Sequence, residues 1–170
     1  EPVVAFGASE ILAWALKQRA LDAAVVVCDG AGTVVTDRAD VVQGIGGNMN
    51  SLFATTPIHP VQARLRTFGC RMASTAASID QKKGLELAAE SGFRMIAVTI
   101  NAFANDDLKA IRADAKRLRV DVMILAVCTT GISAARAEHI AFNADLGWSC
   151  ASEEMLAQAG KRARLQLSER

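Results

Sequence analysis

The chain has 170 residues, 51% of them hydrophobic, and its 19 basic and 18 acidic side chains leave a net charge of only +1. This length and apolar content predict a single domain with a substantial core. Nucleic-acid binding requires clustered positive charge, and a membrane span requires a far longer apolar run than any present. We therefore expect neither a nucleic-acid partner nor a membrane partner.

The four cysteines stand in a core-rich sequence that has no recognisable secretory leader. This combination is typical of reduced thiols and predicts a cytoplasmic location rather than a disulfide framework. The sequence begins at Glu1-Pro2 without an initiator Met, which is compatible with a longer product that has lost an N-terminal portion. Residues 1–170 are treated as one α/β domain.

Short apolar runs alternate with helical patterns along the first half of the chain. The segment Asp40–Phe53 is given no regular element, because its glycine cluster GIGGN (Gly44–Asn48) is expected to break one. The other predicted elements are an apolar run at Val3–Phe6, a helix over Glu10–Ala20 capped by Ser9, a strand at Ala23–Cys28, a return strand at Thr33–Thr36, a helix at Pro60–Phe68 and a strand around Cys70–Ala73.

The second half is more regular. Its predicted elements are a helix from Asp80 to Gly92, a strand at Arg94–Ile100, a helix at Asp106–Leu118, a strand at Asp121–Cys128, a helix at Ser133–Asn143, a strand at Asp145–Cys150, a helix at Glu153–Ala159 and an edge strand at Arg164–Leu167. Strand–helix units of this length imply right-handed crossovers. The sequence therefore predicts an α/β three-layer sandwich with a mostly parallel open sheet.

Three of the cysteines occupy equivalent positions in this scheme. Cys28, Cys128 and Cys150 each close an apolar, strand-like run, and the carboxyl ends of parallel strands share the sheet edge where ligands bind. They are the candidate catalytic residues, although a buried cysteine is often only a small hydrophobic side chain. Cys70 enters a strand rather than leaving one, so we interpret it as structural.

Loops rich in glycine and hydroxyl groups flank the cysteines and could hold an anion through backbone N–H groups or a helix N-terminus. Neither a dinucleotide fingerprint nor a P-loop occurs, and ordinary turns and helix caps remain alternatives. The cluster at 44–48 is interpreted as a loop that moves over a small-molecule site. The candidate substrate-binding residues are Asp29, Gly30, Gly32, Thr33, Gly46, Gly47, Asn48, Thr129, Thr130 and Gly131.

Other polar residues give weaker signals. Asp80-Gln81 fits either a helix cap or a polar pair in a site. Four arginines could clamp an anion, but the spacing does not select one of them: Arg38, Arg64, Arg66 and Arg71. The two histidines make a poor zinc pair, and C-x-x-C does not occur. A three-cysteine metal or iron–sulfur site stays open, because ligands can converge from separate loops.

The segments CDGAGTVVT, VVQGIGGNM, IDQKKGLELAAESGF, IAVTI, CTTGIS and SCAS, in this order, resemble the methanogenesis marker protein 8 family. The resemblance covers roughly Leu12 to Leu167, and members of that family are generally longer. It implies a functional surface formed by the segments at Cys28, Gly44–Asn48, Asp80-Gln81, Thr129–Gly131 and Cys150. In similar sequences a His often replaces Cys128, so the resemblance supports Cys28 and Cys150 more strongly.

The Ala- and Arg-rich composition is typical of a high-GC bacterium. Methanogens and a few such bacteria share coenzyme M, a small thiol that carries a sulfonate. The resulting hypothesis is a cysteine-dependent enzyme that transfers sulfur, through a persulfide or mixed disulfide, to a small sulfonate or similar anion in coenzyme M biosynthesis. Its expected partners are a small anionic substrate and a sulfur-donor or reductant protein. No cofactor is assigned, and a homo-oligomer stays open.

Two alternatives accompany this hypothesis. The first is a metal or iron–sulfur binding protein that assists the assembly of a cofactor or of a thiol-dependent enzyme. The second is a non-catalytic subunit, in which the three strand-end cysteines would be dispensable.

Overall fold

A computed structural model describes residues 7–46, 52–104 and 108–165. The apolar run at 3–6 lies outside these residues. The elements in chain order are α1 (Ala8–Lys17), β1 (Ala23–Cys28), β2 (Gly32–Thr36), α2 (Ala39–Gly46), α3 (His59–Thr67), β3 (Arg71–Met72), α4 (Gln81–Glu90), β4 (Met95–Asn101), α5 (Leu108–Leu118), β5 (Asp121–Val127), α6 (Ala134–Asn143), β6 (Leu146–Gly147) and α7 (Glu153–Arg162).

The strands form one six-stranded sheet in the order β3-β2-β1-β4-β5-β6. The neighbours β1 and β4, β4 and β5, and β5 and β6 run parallel, whereas β2 and β3 form an antiparallel extension on one side. The prediction of an α/β fold with a mostly parallel open sheet is confirmed. Val-rich strands such as β1 suit this sheet because helices cover both of its faces.

Two apolar clusters lie on opposite faces of the sheet. One contains alternate β1 residues such as Ala23 and Val25 together with the inner faces of α4, α5 and α6. The other contains Ala24 and Val26 with the inner faces of α1, α2 and α3. Alternation of side chains along a strand produces this division, and the result is three layers. Cys28 has the same parity as Val26 and packs against the second cluster.

Three local predictions are wrong. Ser9 does not cap α1; the cap is Gly7, and Ser9 lies inside the helix. Gly44–Gly46 belongs to α2 rather than to a loop, because Val41 and Val42 of that helix are buried against α1 and the sheet. Residues 163–165 form no strand, while 166 and 167 lie outside the described residues. In addition, β6 is shorter than the predicted strand at Asp145–Cys150.

Most other elements fall within a residue or two of their predicted positions. The strand at Ala23–Cys28 has the predicted bounds, and Asp80 and Ser133 each cap the helix that follows, accepting a bond from a backbone N–H with their side chains. Among the described residues, no helix combines the length and apolar character needed to span a bilayer.

Candidate functional site

The carboxyl ends of four parallel strands lie along one edge of the sheet. Cys28 ends β1, Asn101 ends β4, Cys128 directly follows β5, and Cys150 lies three residues beyond β6. The register confirms this alignment, because Asn101 pairs with Val127 of β5. The structure therefore places the three cysteines predicted from the sequence at the same edge, on three different strands.

A fork opens at this edge between β1 and β4. Their parallel ladder ends at the Val25–Val98 pair. Beyond this pair the chain continues from β1 to β2 on one side and from β4 to β5 on the other. The position between β1 and β4 is therefore a topological switch point, the place where open α/β sheets bind ligands. The amide of Gln81, a buried residue at the start of α4, donates to the Thr99 carbonyl at the root of the fork.

The turn after Cys28 is held by bonds within the protein. The N–H of Gly30 donates to the Thr55 hydroxyl at 2.8 Å, and that of Thr33 donates to the Ser78 carbonyl at 3.1 Å. The buried Thr33 hydroxyl donates to Gln81 Oε1 at 2.8 Å. Gly32 has a φ of +70°, and a Cβ there would lie 2.4 Å from the Ala77 backbone. The glycines thus serve the tight hairpin turn, and these donors already have protein acceptors.

A cleft of about 650 Å³ lies beside Cys28, on the face covered by α2 and α3. We call it the Cys28 cleft. It combines a thiol, two carboxylates and one guanidinium with apolar walls. Its lining residues are Cys28, Asp29, Asp40, Val41, Gly44, Ile45, Ile58, Val61, Arg64, Leu65 and Phe68. A small molecule fits a cleft of this size and mixed polarity.

The charged side chains of the Cys28 cleft differ in whether they already have a partner within the protein. Asp40 is paired with Arg38 through two hydrogen bonds, at 3.0 and 2.5 Å. Asp29 accepts a short hydrogen bond from the Thr55 hydroxyl. The guanidinium of Arg64 lies 5.8 Å from the centre of the Phe68 ring and forms no ion pair with another described residue. Arg64 is therefore the cation of this cleft that is available to an anion.

Cys28 is half-buried, and burial raises the pKa of its thiol above the ordinary cysteine value. The negative charge of Asp29 acts in the same direction. Both causes disfavour the thiolate, which is the nucleophilic form. At neutral pH the free protein therefore holds Cys28 as a thiol.

The glycine cluster of 44–48 contributes to the same region only in part. Gly44 and Ile45 line the Cys28 cleft from α2. Gly46 packs against α1, where a Cβ would lie 2.2 Å from that of Ser9. The candidates Gly47 and Asn48 lie outside the described residues, so their role stays a prediction.

The loop after β5 is tied to the loop after β6. Thr129 is buried, its hydroxyl donates to the Trp148 carbonyl, and the Ser149 carbonyl lies 2.9 Å from the same oxygen. The exposed Thr130 accepts a bond of 3.3 Å from the Ala151 N–H. These contacts account for the two threonines structurally, while Gly131 has a φ of +80° and lies at the surface.

Cys150 is exposed and lines a second, separate groove of about 1080 Å³ beside the edge strand β6. Trp148 and the basic residues Lys161, Arg162 and Arg164 also line this groove. Cys128 is half-buried and lines neither hollow. The three cysteines therefore share an edge but do not face one common cavity.

Several residues of the site were not selected from the sequence. Arg64 was one of four equivalent arginines, and Thr55, which secures Asp29 and Gly30, gave no local signal. The sequence predicts Asp80-Gln81 as either a helix cap or a polar pair in a site; Asp80 is the cap, whereas Gln81 bonds across the fork. Cys70 is confirmed as a buried core residue. In the part of the chain that the structure describes, no group of three or more His, Cys, Asp or Glu side chains could hold a metal ion.

The fold and this edge define an open α/β sandwich with a cleft of mixed polarity at the carboxyl end of β1, beside the topological switch point. The chain belongs to the family described as "Uncharacterized protein conserved in archaea (DUF2099)", whose model matches residues 1–170. It is 33% identical over 166 residues to "Uncharacterized protein MJ0054" of Methanocaldococcus jannaschii. The match covers 97% of this chain but 57% of that relative. No solved structure matches this chain significantly.

Proposed function

We propose that this chain is a cysteine-dependent enzyme that transfers sulfur to a small anion bound in the Cys28 cleft. One observation carries the proposal: the thiol of Cys28 and the guanidinium of Arg64 line the same cleft, at the carboxyl edge beside the switch point. Arginine suits planar or multidentate oxyanions such as carboxylates and, by the same geometry, sulfonates. Cys28 would be the reacting cysteine.

The proposed sulfur transfer has three steps. The Cys28 thiolate takes the outer sulfur of a persulfide donor, so Cys28 carries the persulfide and the donor leaves as a thiolate. The persulfide anion then displaces a leaving group from carbon of the bound anion and forms a substrate–Cys28 disulfide. Two external thiols reduce this disulfide by exchange, releasing the product thiol and restoring Cys28 while they become a disulfide.

The raised pKa of Cys28 fits a resting state in which the nucleophile is protected. A protonated thiol is slow to oxidise, since susceptibility follows thiolate character and exposure. Deprotonation must then accompany binding of the donor or substrate in the cleft. The resemblance to the methanogenesis marker protein 8 family supplies the particular product in this proposal, the sulfonate-bearing thiol coenzyme M.

The sulfur-carrying step is tested by mass spectrometry of intact protein treated with a low-molecular-weight persulfide donor. We expect a gain of one sulfur atom, mapped to the tryptic peptide 20–38, which contains Cys28 alone. Cys28→Ser should lose this gain, whereas the matched variant Cys70→Ser should keep it. A sulfur gain confined to peptide 137–161, which contains Cys150, with none on peptide 20–38 would contradict the assignment of Cys28.

The anion-binding step is tested separately with two alkylating reagents of similar size, the anion iodoacetate and the neutral iodoacetamide. Arg64→Ala should lower the iodoacetate-to-iodoacetamide rate ratio at Cys28 several-fold, because the guiding cation is lost. Arg66→Ala is the control, since Arg66 lies exposed on the same helix outside the cleft. An equal ratio in the two variants would remove Arg64 from the proposal.

A further inference from the structure

Cys128 and Cys150 share an uncommon backbone conformation. Their φ angles are +60° and +49°, in the left-handed region. For a residue with a side chain this region is unfavourable, and it persists where the surrounding structure enforces it. The other non-glycine examples include Arg19 and Arg119, which lie within two residues of the ends of α1 and α5, where chains commonly turn in this way. The two cysteines instead lie in strand-end loops.

The loops that carry these cysteines are fastened to each other on both sides of Cys150. Thr129 contacts the carbonyl of Ser149, which precedes Cys150, and Thr130 accepts from the N–H of Ala151, which follows it. The β5–β6 ladder ends at the Ala126–Gly147 pair, so Cys128 lies two residues beyond it on one strand and Cys150 three residues beyond it on the other. The fold thus brings the two cysteines to neighbouring positions.

The spacing of neighbouring strands is compatible with a disulfide between Cys128 and Cys150. Neighbouring strands lie about 4.8 Å apart, and disulfide-bonded cysteines have Cα atoms roughly 4.4–6.8 Å apart. Cys28 belongs to β1, which β4 separates from β5, so it lies about two strand spacings, or roughly 10 Å, from the β5 end. It also lines a different cleft from Cys150.

We propose that Cys128 and Cys150 form a redox-active dithiol that undergoes exchange with low-molecular-weight disulfides, at a site separate from the Cys28 cleft. Cys150 is the exposed member and reacts first, and the half-buried Cys128 resolves the adduct. This inference does not depend on the sulfur-transfer proposal, which assigns its chemistry to Cys28.

The reaction is a two-electron exchange. The Cys150 thiolate attacks a disulfide RSSR, which forms a Cys150–SR mixed disulfide and releases one thiolate. The Cys128 thiolate then attacks Cys150 Sγ, forms the Cys128–Cys150 disulfide and releases the second thiolate. The two cysteine thiols give up two electrons and two protons, and RSSR is reduced to two RSH.

Tryptic mapping after treatment of the reduced protein with oxidised glutathione tests the proposal. Trypsin places each cysteine in its own peptide: Cys28 in 20–38, Cys70 in 67–71, Cys128 in 120–136 and Cys150 in 137–161. We expect peptides 120–136 and 137–161 to appear joined, with a loss of two free thiols per chain. Cys28→Ser is the matched control and should form the same linkage.

Single substitutions identify the order of events. Cys128→Ser should trap glutathione on Cys150 as a stable adduct, because the resolving thiol is absent. Thr129→Val should lower the ratio of closed disulfide to glutathione adduct several-fold, since it removes the hydroxyl that ties the two loops. This ratio compares two products of the same folded sample, so a mere loss of stability would not mimic the effect.

Three outcomes would overturn the proposal. The first is a glutathione adduct that persists on Cys150 of the unsubstituted protein. The second is a linkage of peptide 137–161 to a second copy of itself, seen as a covalent dimer on a non-reducing gel. The third is a linkage of Cys150 to Cys28 in peptide 20–38.

Discussion

The two ends of one sheet edge hold their cysteines in different environments. At the β1 end, Cys28 is half-buried, the adjoining turn is fully occupied with internal hydrogen bonds, and burial raises the pKa of the thiol. At the β5–β6 end, Cys150 is exposed beside an open groove and Cys128 stands in a left-handed conformation. Cys150 is therefore more accessible to solvent than Cys28 at the same edge, whereas Cys128 is half-buried like Cys28.

This difference indicates that position at the edge selects the candidates but does not decide their chemistry. A half-buried, protonated thiol that shares a cleft with a cation suits a reaction that begins only when a ligand enters. A pair in neighbouring loops with one exposed member, Cys150, suits exchange with disulfides in solution. Substitutions that affect one end and leave the other unchanged can test whether the two ends are independent.

The largest effect is expected from Gln81→Ala at the fork. Gln81 is 2% exposed, accepts from the Thr33 hydroxyl at 2.8 Å and donates to the Thr99 carbonyl. Its removal leaves the buried Thr33 hydroxyl and the partly buried Thr99 carbonyl without these partners, at about 1–3 kcal/mol each. Urea denaturation should show the free energy of unfolding lowered by about 2–6 kcal/mol. Alkylation of Cys28 should accelerate while that of Cys150 stays unchanged.

Asp80→Ala is the control for that change. Asp80 caps the same helix through a bond of 2.9 Å from the Lys83 N–H, and loss of such a cap costs about 1 kcal/mol. If the two variants lose equal stability, Gln81 does not hold the fork.

The sequence allowed prediction of the fold where local and tertiary preferences agree. The strand β1 is Val-rich and buried on both faces, and α6 begins directly after Ser133, whose side chain caps it. The helix α2 was missed because Gly44 and Gly46 argue against a helix locally. Burial of Val41 and Val42 overrides that preference, and Gly46 allows the close approach of α1 at Ser9.

The site was predictable only to the level of strand ends. Parallel topology is enough to place Cys28, Cys128 and Cys150 at one edge. The choice of Arg64 depends on how α3 packs beside the turn that follows β1, where Gln62 donates to the Gly30 carbonyl, and no local pattern encodes this packing. The separation of Cys28 from Cys150 into two hollows likewise follows from the helices packed on each side of the sheet.

Asp29→Asn should change the titration of Cys28 by a smaller amount. The Asp29 carboxylate raises the pKa of Cys28, so its removal lowers that pKa and increases the thiolate fraction at a given pH. Burial is the larger cause and persists, so iodoacetamide should alkylate Cys28 faster at pH 7 by less than about tenfold, which would require a full unit of pKa shift. The curve of the Cys28 alkylation rate against pH should shift to lower pH, while the maximum rate reached at high pH should not change.

Asp40→Asn provides the comparison, because Asp40 lines the same cleft but is not among the causes of the shifted Cys28 pKa. Its profile should match that of the unsubstituted protein, and the Cys150 rate should be unaffected by either change. A Cys28 rate at pH 7 that falls in Asp29→Asn would contradict the sign of this coupling.

The smallest effect is expected from Gly44→Ala in α2. A Cβ at Gly44 meets nothing within 4 Å, so the substitution gains helix propensity, and unfolding should cost about 0.5–1 kcal/mol more. Gly84→Ala in α4 carries the same propensity gain but places its Cβ 2.4 Å from Val25 Cγ1 and 2.6 Å from Thr33 Cγ2. Because both neighbours belong to the sheet beneath Cys28, the clash should outweigh the gain and make the net effect destabilising. The urea midpoint should therefore rise for Gly44→Ala and fall for Gly84→Ala. A rise for both variants would show that the close packing of α4 on β1 and β2 at Gly84 is not needed for stability at this end of the sheet.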